Sequence, residues 1–261
     1  MLAWLTGWPR LTHVLLAGLA KFALSTPPIA ALAPVRLLWQ ASLGASAGFA
    51  LFVFLAAAGL GVLPGGLLGA PAVSVRQLIV RVFVSVLLAV ESLTLTAWVL
   101  RFNNFLIEAV TAQGNLLGAL REPQASGGLL VVVVTLLPYV GVLLALAVIY
   151  AIRMAELLVL IVLAPIAASF LIHPGTQRLT ALWAAEFLAV TFLQFAQAVL
   201  LELFQVVTVT LPQSQGTAAA IASSLALLVL TIRLPGWMSK FVHSAGQQSA
   251  SEWLARLARS L

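Results

Sequence analysis

Four glutamates, Glu91, Glu156, Glu186 and Glu202, fall in or beside long apolar runs of this 261-residue chain. An ionisable group in such a place pairs within protein or serves an ion or proton path. Arg153 and Glu156 stand three positions apart, so on a helix they share a face and can pair. Glu186, Gln197 and Thr208 recur every eleven residues, a spacing that drifts only about 20° around a helix. Thr191, Gln194, Glu202 and Gln205 extend the same polar arc. An arc of this kind hydrogen-bonds to neighbouring helices or subunits, at about 1 kcal/mol per bond, or it lines a water-filled path. Helix-to-helix bonding is the reading for Gln194 and Gln197, whereas both uses stay open for Glu202. A proton-coupled secondary transporter is one alternative, with Glu91 or Glu202 carrying the proton; a structural membrane subunit of another complex is the second.

Nucleophilic and metal chemistry have no support. The chain has no Cys, and His13, His173 and His243 are isolated. It shows no HExxH, GxSxG or Walker A pattern and no paired acidic cluster. No catalytic residue, metal site or cofactor is expected, and the chain is not read as an enzyme.

The composition says what must surround these polar groups. Hydrophobic residues make up 62% and charged residues 8%, against roughly 25% charged in soluble domains. Such a chain cannot cover itself with a solvated surface, so its outer face meets lipid. Thirteen Lys and Arg outnumber seven acids, all of them Glu. No dense basic cluster of the kind that binds nucleic acid or anionic headgroups occurs. The excess is read instead as cations flanking membrane spans.

The expected fold is all-α, a polytopic transmembrane helical bundle of five or six spans with amphipathic N- and C-terminal helices. Residues 1–40 form the N-terminal interfacial segment. Within it, Trp4, Trp8, Leu11, Leu15, Leu19 and Phe22 share one helical face, and Thr26-Pro27-Pro28 ends the pattern. Lys21 interrupts the apolar stretch at 14–24 and Pro34 follows Ala31-Leu32-Ala33, so this segment is expected to be retained rather than cleaved. The bundle covers 41–234. Its expected spans are 41–63 (with Gly44 and Gly48 as a GxxxG), 77–100, 129–150, 156–172, 179–210 and 217–233, with an interfacial segment at 101–128. Residues 235–261 form the C-terminal tail, with Trp253, Leu254, Leu257 and Leu261 on one face.

The stretch 129–172 is 44 residues long, about 66 Å as one helix against an apolar core of about 30 Å. It is therefore expected to cross twice, around Arg153 and Glu156. Six spans with a cytoplasmic N-terminus place ten of the thirteen cations inside, which fits the positive-inside rule better than five. Pro165 is expected to bend its span, Pro174 and Gly175 to stop it, Thr176 or Gln177 to cap the next helix, Arg178 to anchor at the headgroups and Trp183 to sit near the interface. These residues make a tight hairpin between two spans.

The same region carries a family resemblance. Arg153, Glu156 and Leu157 precede Leu163-Ala-Pro-Ile-Ala167. Pro174, Thr176 and Arg178 follow, offset by one from the usual corner. Trp183, Glu186-Phe187-Leu188, Phe192-Leu193-Gln194 and Gln197-Ala198 complete the set. Over about residues 130–205 the chain resembles the TrbL family, polytopic inner-membrane subunits of bacterial type IV secretion and conjugation machines. The resemblance implies a non-enzymatic platform present in several copies. It implies contacts with other secretion subunits and the pilin, a role in passing DNA or protein across the inner membrane, and in some members five spans with a periplasmic N-terminus.

Overall fold

Apolar runs longer than a soluble helix needs, broken only at Pro/Gly corners, fold here into a few very long helices. The computed structural model describes residues 26–61, 75–112, 129–173, 176–214, 226, 229–238 and 240. A short 3-10 turn, Ile29–Ala31, leads into α1 (Ala33–Gly61); α2 (Val75–Thr111), α3 (Leu129–Ser169) and α4 (Gln177–Ser214) follow. Residues 229–238 are also helical, and no strand occurs among the described residues. Four of these helices are long and apolar enough to cross a membrane, over Ala33–Leu55, Arg76–Thr111, Leu144–Ser169 and Gln177–Leu203. The amphipathic helix expected at 1–24, the loop at 64–74, residues 113–128, Pro174, most of the span at 217–233 and the tail beyond 240 lie outside the described residues.

The expected double crossing of 129–172 is not met. α3 is a single helix of 41 residues that runs through Pro138 and Pro165. Two crossings would require a turn around Arg153 and Glu156. The structure instead buries Arg153 (1% exposed) and supplies it with protein acceptors, so no turn into water is needed. The charge count that favoured six spans rested on that division. Other boundaries move for related reasons. α1 starts at Ala33, before the expected span: Leu32 O accepts the N–H of Arg36 (3.1 Å), and Pro34 sits in the first turn, where its missing N–H costs nothing. α2 continues past Leu100 to Thr111. α4 continues through Pro212 to Ser214, and the helix at 229–238 passes through Pro235 and Gly236.

The helices are inside out relative to a soluble bundle. On α2 the buried positions Ser85, Ala89, Ser92, Thr96, Leu100, Asn103 and Ile107 recur at three- and four-residue steps, one face of the helix. Most of them are small or polar. The opposite face carries Phe83 (68% exposed), Leu87, Leu95 and Trp98 (66%). α1 repeats the arrangement, with Ser42, Ser46 and Ala50 inward and Leu37, Phe52 and Leu55 outward. Small and hydroxylated residues at the seam let backbones approach, while large apolar ones suit lipid. The chain is a multi-pass membrane protein.

The fold falls into two compact units, each contiguous in space but not in sequence: one of residues 1–27, 100–155 and 190–238, the other of 28–99, 156–189 and 239–261. In the second unit, side-chain donors converge on the C-terminal part of α3. Ser46 Oγ donates to Pro165 O (2.9 Å), Ser85 Oγ to Ala168 O (2.9 Å) and Thr180 Oγ1 to Ala167 O (2.6 Å). The last carbonyls of a helix have no intrahelical partner, and water is not at hand in an apolar layer. Hydroxyls from α1, α2 and α4 add donors at this end of the helix, Ala168 O also accepting the Leu171 N–H (3.1 Å). Phe49 packs edge-on to Phe170, with centroids 5.6 Å apart.

Candidate functional site

The first unit contains the concentration of polar side chains that an apolar layer tolerates least. It begins at Thr26, a non-helical residue whose backbone lacks helical partners. Asn104, on α2, clamps it from both sides: Thr26 N–H donates to Asn104 Oδ1 (2.9 Å), and Asn104 Nδ2 donates to Thr26 O (2.9 Å). Irregular backbone at membrane depth survives only where protein meets its hydrogen bonds in this way.

The Thr26 side chain then joins two helices, and Gln194 brings in a third. Its hydroxyl donates to Gln194 Oε1 of α4 (2.6 Å) and accepts from Arg153 Nη2 of α3 (3.2 Å). Asn103 Nδ2 of α2 also donates to Gln194 Oε1 (3.3 Å). Arg153 continues to α4 itself, with Nε donating to Val190 O (2.8 Å) and Nη2 to Thr191 O (3.3 Å). A planar fork matches two consecutive carbonyls better than a point charge does. Phe102 and Phe192 meet edge-on beside this cluster's elements, with centroids 6.4 Å apart.

Several buried polar atoms of the same unit have no hydrogen-bond partner among the described residues. These are Asn103 Oδ1, Tyr150 Oη, Thr191 Oγ1, Glu202 Oε1 and both polar atoms of Gln197. Gln194 and Gln197 lie three residues apart on α4, both fully buried, yet of the two Gln194 is the one bonded to Thr26 and Asn103. The helix-to-helix bond expected of Gln197 is therefore not present among the described residues. Thr191 and Glu202 also belong to the expected arc; Thr191 is buried and Glu202 half-buried. The side chains of Gln205 and Thr208 lie outside the description.

The remaining sequence-selected residues sit in the second unit. Glu91 and Glu156 are exposed on α2 and α3, and Glu186 is half-buried on α4. Pro165 is buried within α3. At the corner after α3, Thr176 Oγ1 donates to Phe170 O (2.7 Å) and His173 O (3.0 Å), and Gln177 Nε2 donates to Leu171 O (3.3 Å). One or other of these residues was expected to cap α4; both side chains instead bond backward and close the end of α3. Arg178 is exposed. Trp183 was expected near the interface. Its indole Nε1 donates to Leu160 O (3.0 Å), and its ring stacks on Phe187 at 5.6 Å and 5°. Trp183→Phe keeps the stack and removes the bond, and is expected to cost about 1 kcal/mol. Thermal unfolding of the detergent-solubilised protein reads this; an unchanged midpoint would mean the indole N–H contributes nothing.

Thr26, Asn103, Asn104 and Tyr150 are the members of the cluster that sequence reasoning did not select. Asn103-Asn104 is a polar pair at the end of an apolar run, which sequence reasoning assigned to a surface segment because α2 was expected to stop at 100. Thr26 reads as a helix stop before two prolines, and nothing in its neighbourhood marks a bond to residues 78 and 168 positions away. Among the described residues no three His, Asp or Glu side chains gather as a metal site.

Arg153, Thr191, Gln194 and Gln197 of this cluster lie on the stretch that carries the family pattern. Conjugal transfer protein TrbL is the family whose sequence profile matches, over residues 68–260. No curated protein sequence and no solved structure matches the chain. The matched region takes in α2, α3, α4 and the helix at 229–238, and with them every member of the polar cluster but Thr26. The chain belongs to the conjugal transfer protein TrbL family.

Proposed function

We propose that the chain is a non-enzymatic scaffold or channel subunit of a type IV secretion or conjugation machine in the bacterial inner membrane. It helps DNA or protein cross and supports pilus assembly. It acts in several copies, in contact with lipid, with other secretion subunits and the pilin, and transiently with the translocated molecule. The family match supports the conjugation assignment. The observation that carries the mechanistic part is the first unit's interior, in which Arg153, Thr26, Asn103 and Gln194 tie three helices while Gln197, Tyr150 and Asn103 hold polar atoms with no partner among the described residues. A bundle with an apolar skin and polar groups held in reserve inside is suited to receiving hydrophilic cargo or a partner. Arg178 and Trp183 fix the corner of the α3–α4 hairpin on the cytoplasmic side, and five crossings then put the N-terminus in the periplasm, in agreement with what the family resemblance implies.

Deleting the gene from a conjugative donor tests the reading. Transfer frequency is expected to fall to background and to return with the tagged wild-type chain. That chain is expected to copurify with secretion subunits and with a differently tagged copy of itself. Undiminished transfer from the deleted donor would overturn the proposal, and so would solute uptake by proteoliposomes of the chain alone that is lost on replacing Glu91 or Glu202.

A further inference from the structure

Glu91 occupies the least favourable position available to a carboxylate in this chain. Arg81 and Arg101 bracket an apolar stretch of α2 in which Glu91, halfway between them, is the only charge. About 20 residues of helix span the apolar core, so Glu91 lies near its middle. It points outward, on a face shared with Phe83, Leu87 and Trp98, and has no hydrogen bond or ion pair among the described residues. An ionisable group at that depth needs a partner, and none of the described residues offers one on that face. A protein surface over that face would supply the partner that acyl chains cannot.

The register of the second unit points to what covers it. Trp39 Nε1 of α1 donates to Ser92 Oγ of α2 (2.9 Å). Seven residues further along α1, Ser46 bonds Pro165 O; seven residues back along α2, Ser85 bonds Ala168 O, one turn away on α3. The two helices thus run antiparallel, with 39 level with 92 and 46 level with 85. The same register places Gln40 level with Glu91, Gly44 with Leu87 and Gly48 with Phe83. Gln40, Gly44 and Gly48 form an exposed stripe at four-residue steps on α1. A Cβ added at either glycine would meet nothing within 4 Å. Gln40 has no hydrogen-bond partner among the described residues.

We propose that the outer face of α1 packs against the outer face of α2 in a second copy of this chain. Gln40 Nε2 donates to the Glu91 carboxylate, while Leu87 and Phe83 fill the space above Gly44 and Gly48. Copies related by rotation about the membrane normal keep every residue at its own depth, so groups level within one chain remain level across the contact. Large side chains then oppose glycines, and the donor opposes the acceptor at the middle of the apolar layer. Because α1 and α2 are different surfaces, the contact is head-to-tail and closes into a ring. This rests on the multi-copy reading above.

The chain lacks Cys, so introduced pairs report without background. Two differently tagged full-length chains are expressed together in donor membranes. One carries Gly44→Cys and the other Leu87→Cys, leaving Gln40 and Glu91 intact. Oxidation is expected to give a mixed-tag dimer, which the control pair Gly44→Cys with Val86→Cys does not give, since Val86 is exposed on a different side of α2. Adding Glu91→Leu is expected to lower the yield about three- to tenfold, and Glu91→Gln to restore it. Tagged copies that copurify but do not cross-link at 44–87 overturn this interface and leave the multi-copy reading standing. Copies that fail to copurify overturn both. Labelling of Glu91 by a lipid-soluble carbodiimide in the assembled membrane overturns the interface as well.

Discussion

Arg153→Ala is expected to destabilise the protein by about 2–5 kcal/mol, from the volume lost and the charged hydrogen bonds broken together. Replacements that keep part of the side chain separate the two. Methionine fills most of the volume, and it removes the cost of holding a guanidinium away from water. The carbonyls of Val190 and Thr191 retain their own helical N–H donors, and Thr26 retains Gln194. Arg153→Met should therefore lose only the net value of the bonds, about 1–2 kcal/mol. Lysine keeps the charge but not the fork, so it cannot serve Val190 O, Thr191 O and Thr26 Oγ1 together. It leaves a buried ammonium short of partners, and Arg153→Lys should cost as much as Arg153→Ala. Thermal unfolding in detergent checks the order, with Met above Lys and Ala. If Lys restores the wild-type midpoint and Met does not, positive charge, not fork geometry, holds the site together.

How much of this was legible in the sequence follows from the range of each interaction. Lipid as the surrounding medium, the all-helical class and the placement of most helices follow from hydropathy, which is a local property. The polar arc on α4 was legible because helical periodicity alone puts Thr191, Gln194 and Gln197 on one side. The double crossing of 129–172 was misread because burial of Arg153 depends on carbonyls of α4 and on Thr26, groups that no local pattern connects to it. The same blindness hid Thr26 and Asn104, whose importance lies in one amide matching one stretch of irregular backbone. Thr176 and Gln177 were correctly placed at a corner, but which helix end they serve is set by the direction of the chain in space.

Gln194 and Gln197 are the same residue type, on the same helix, equally buried, and are expected to respond to the same substitution with opposite signs. Gln194→Leu removes the acceptor for both Thr26 Oγ1 and Asn103 Nδ2 and strands two buried donors. A loss of about 1–2 kcal/mol is expected, the membrane setting keeping it toward the lower end of what stranded donors cost in soluble proteins. Gln197→Leu removes an amide with neither of its polar atoms paired among the described residues and puts a side chain of similar size in its place. Burial of an unpaired amide costs about 1–3 kcal/mol, so the isolated subunit should gain stability by about that much. On the proposed function, cargo or a partner subunit would supply the missing bonds in the assembled machine. Transfer frequency should then fall in the Gln197→Leu donor even as the protein's unfolding midpoint rises. If both substitutions lower the midpoint alike, Gln197 is an ordinary member of the interhelical network and the reserved polar interior is refuted. A stabilised variant with undiminished transfer would keep the energetics but deny the amide any part in function.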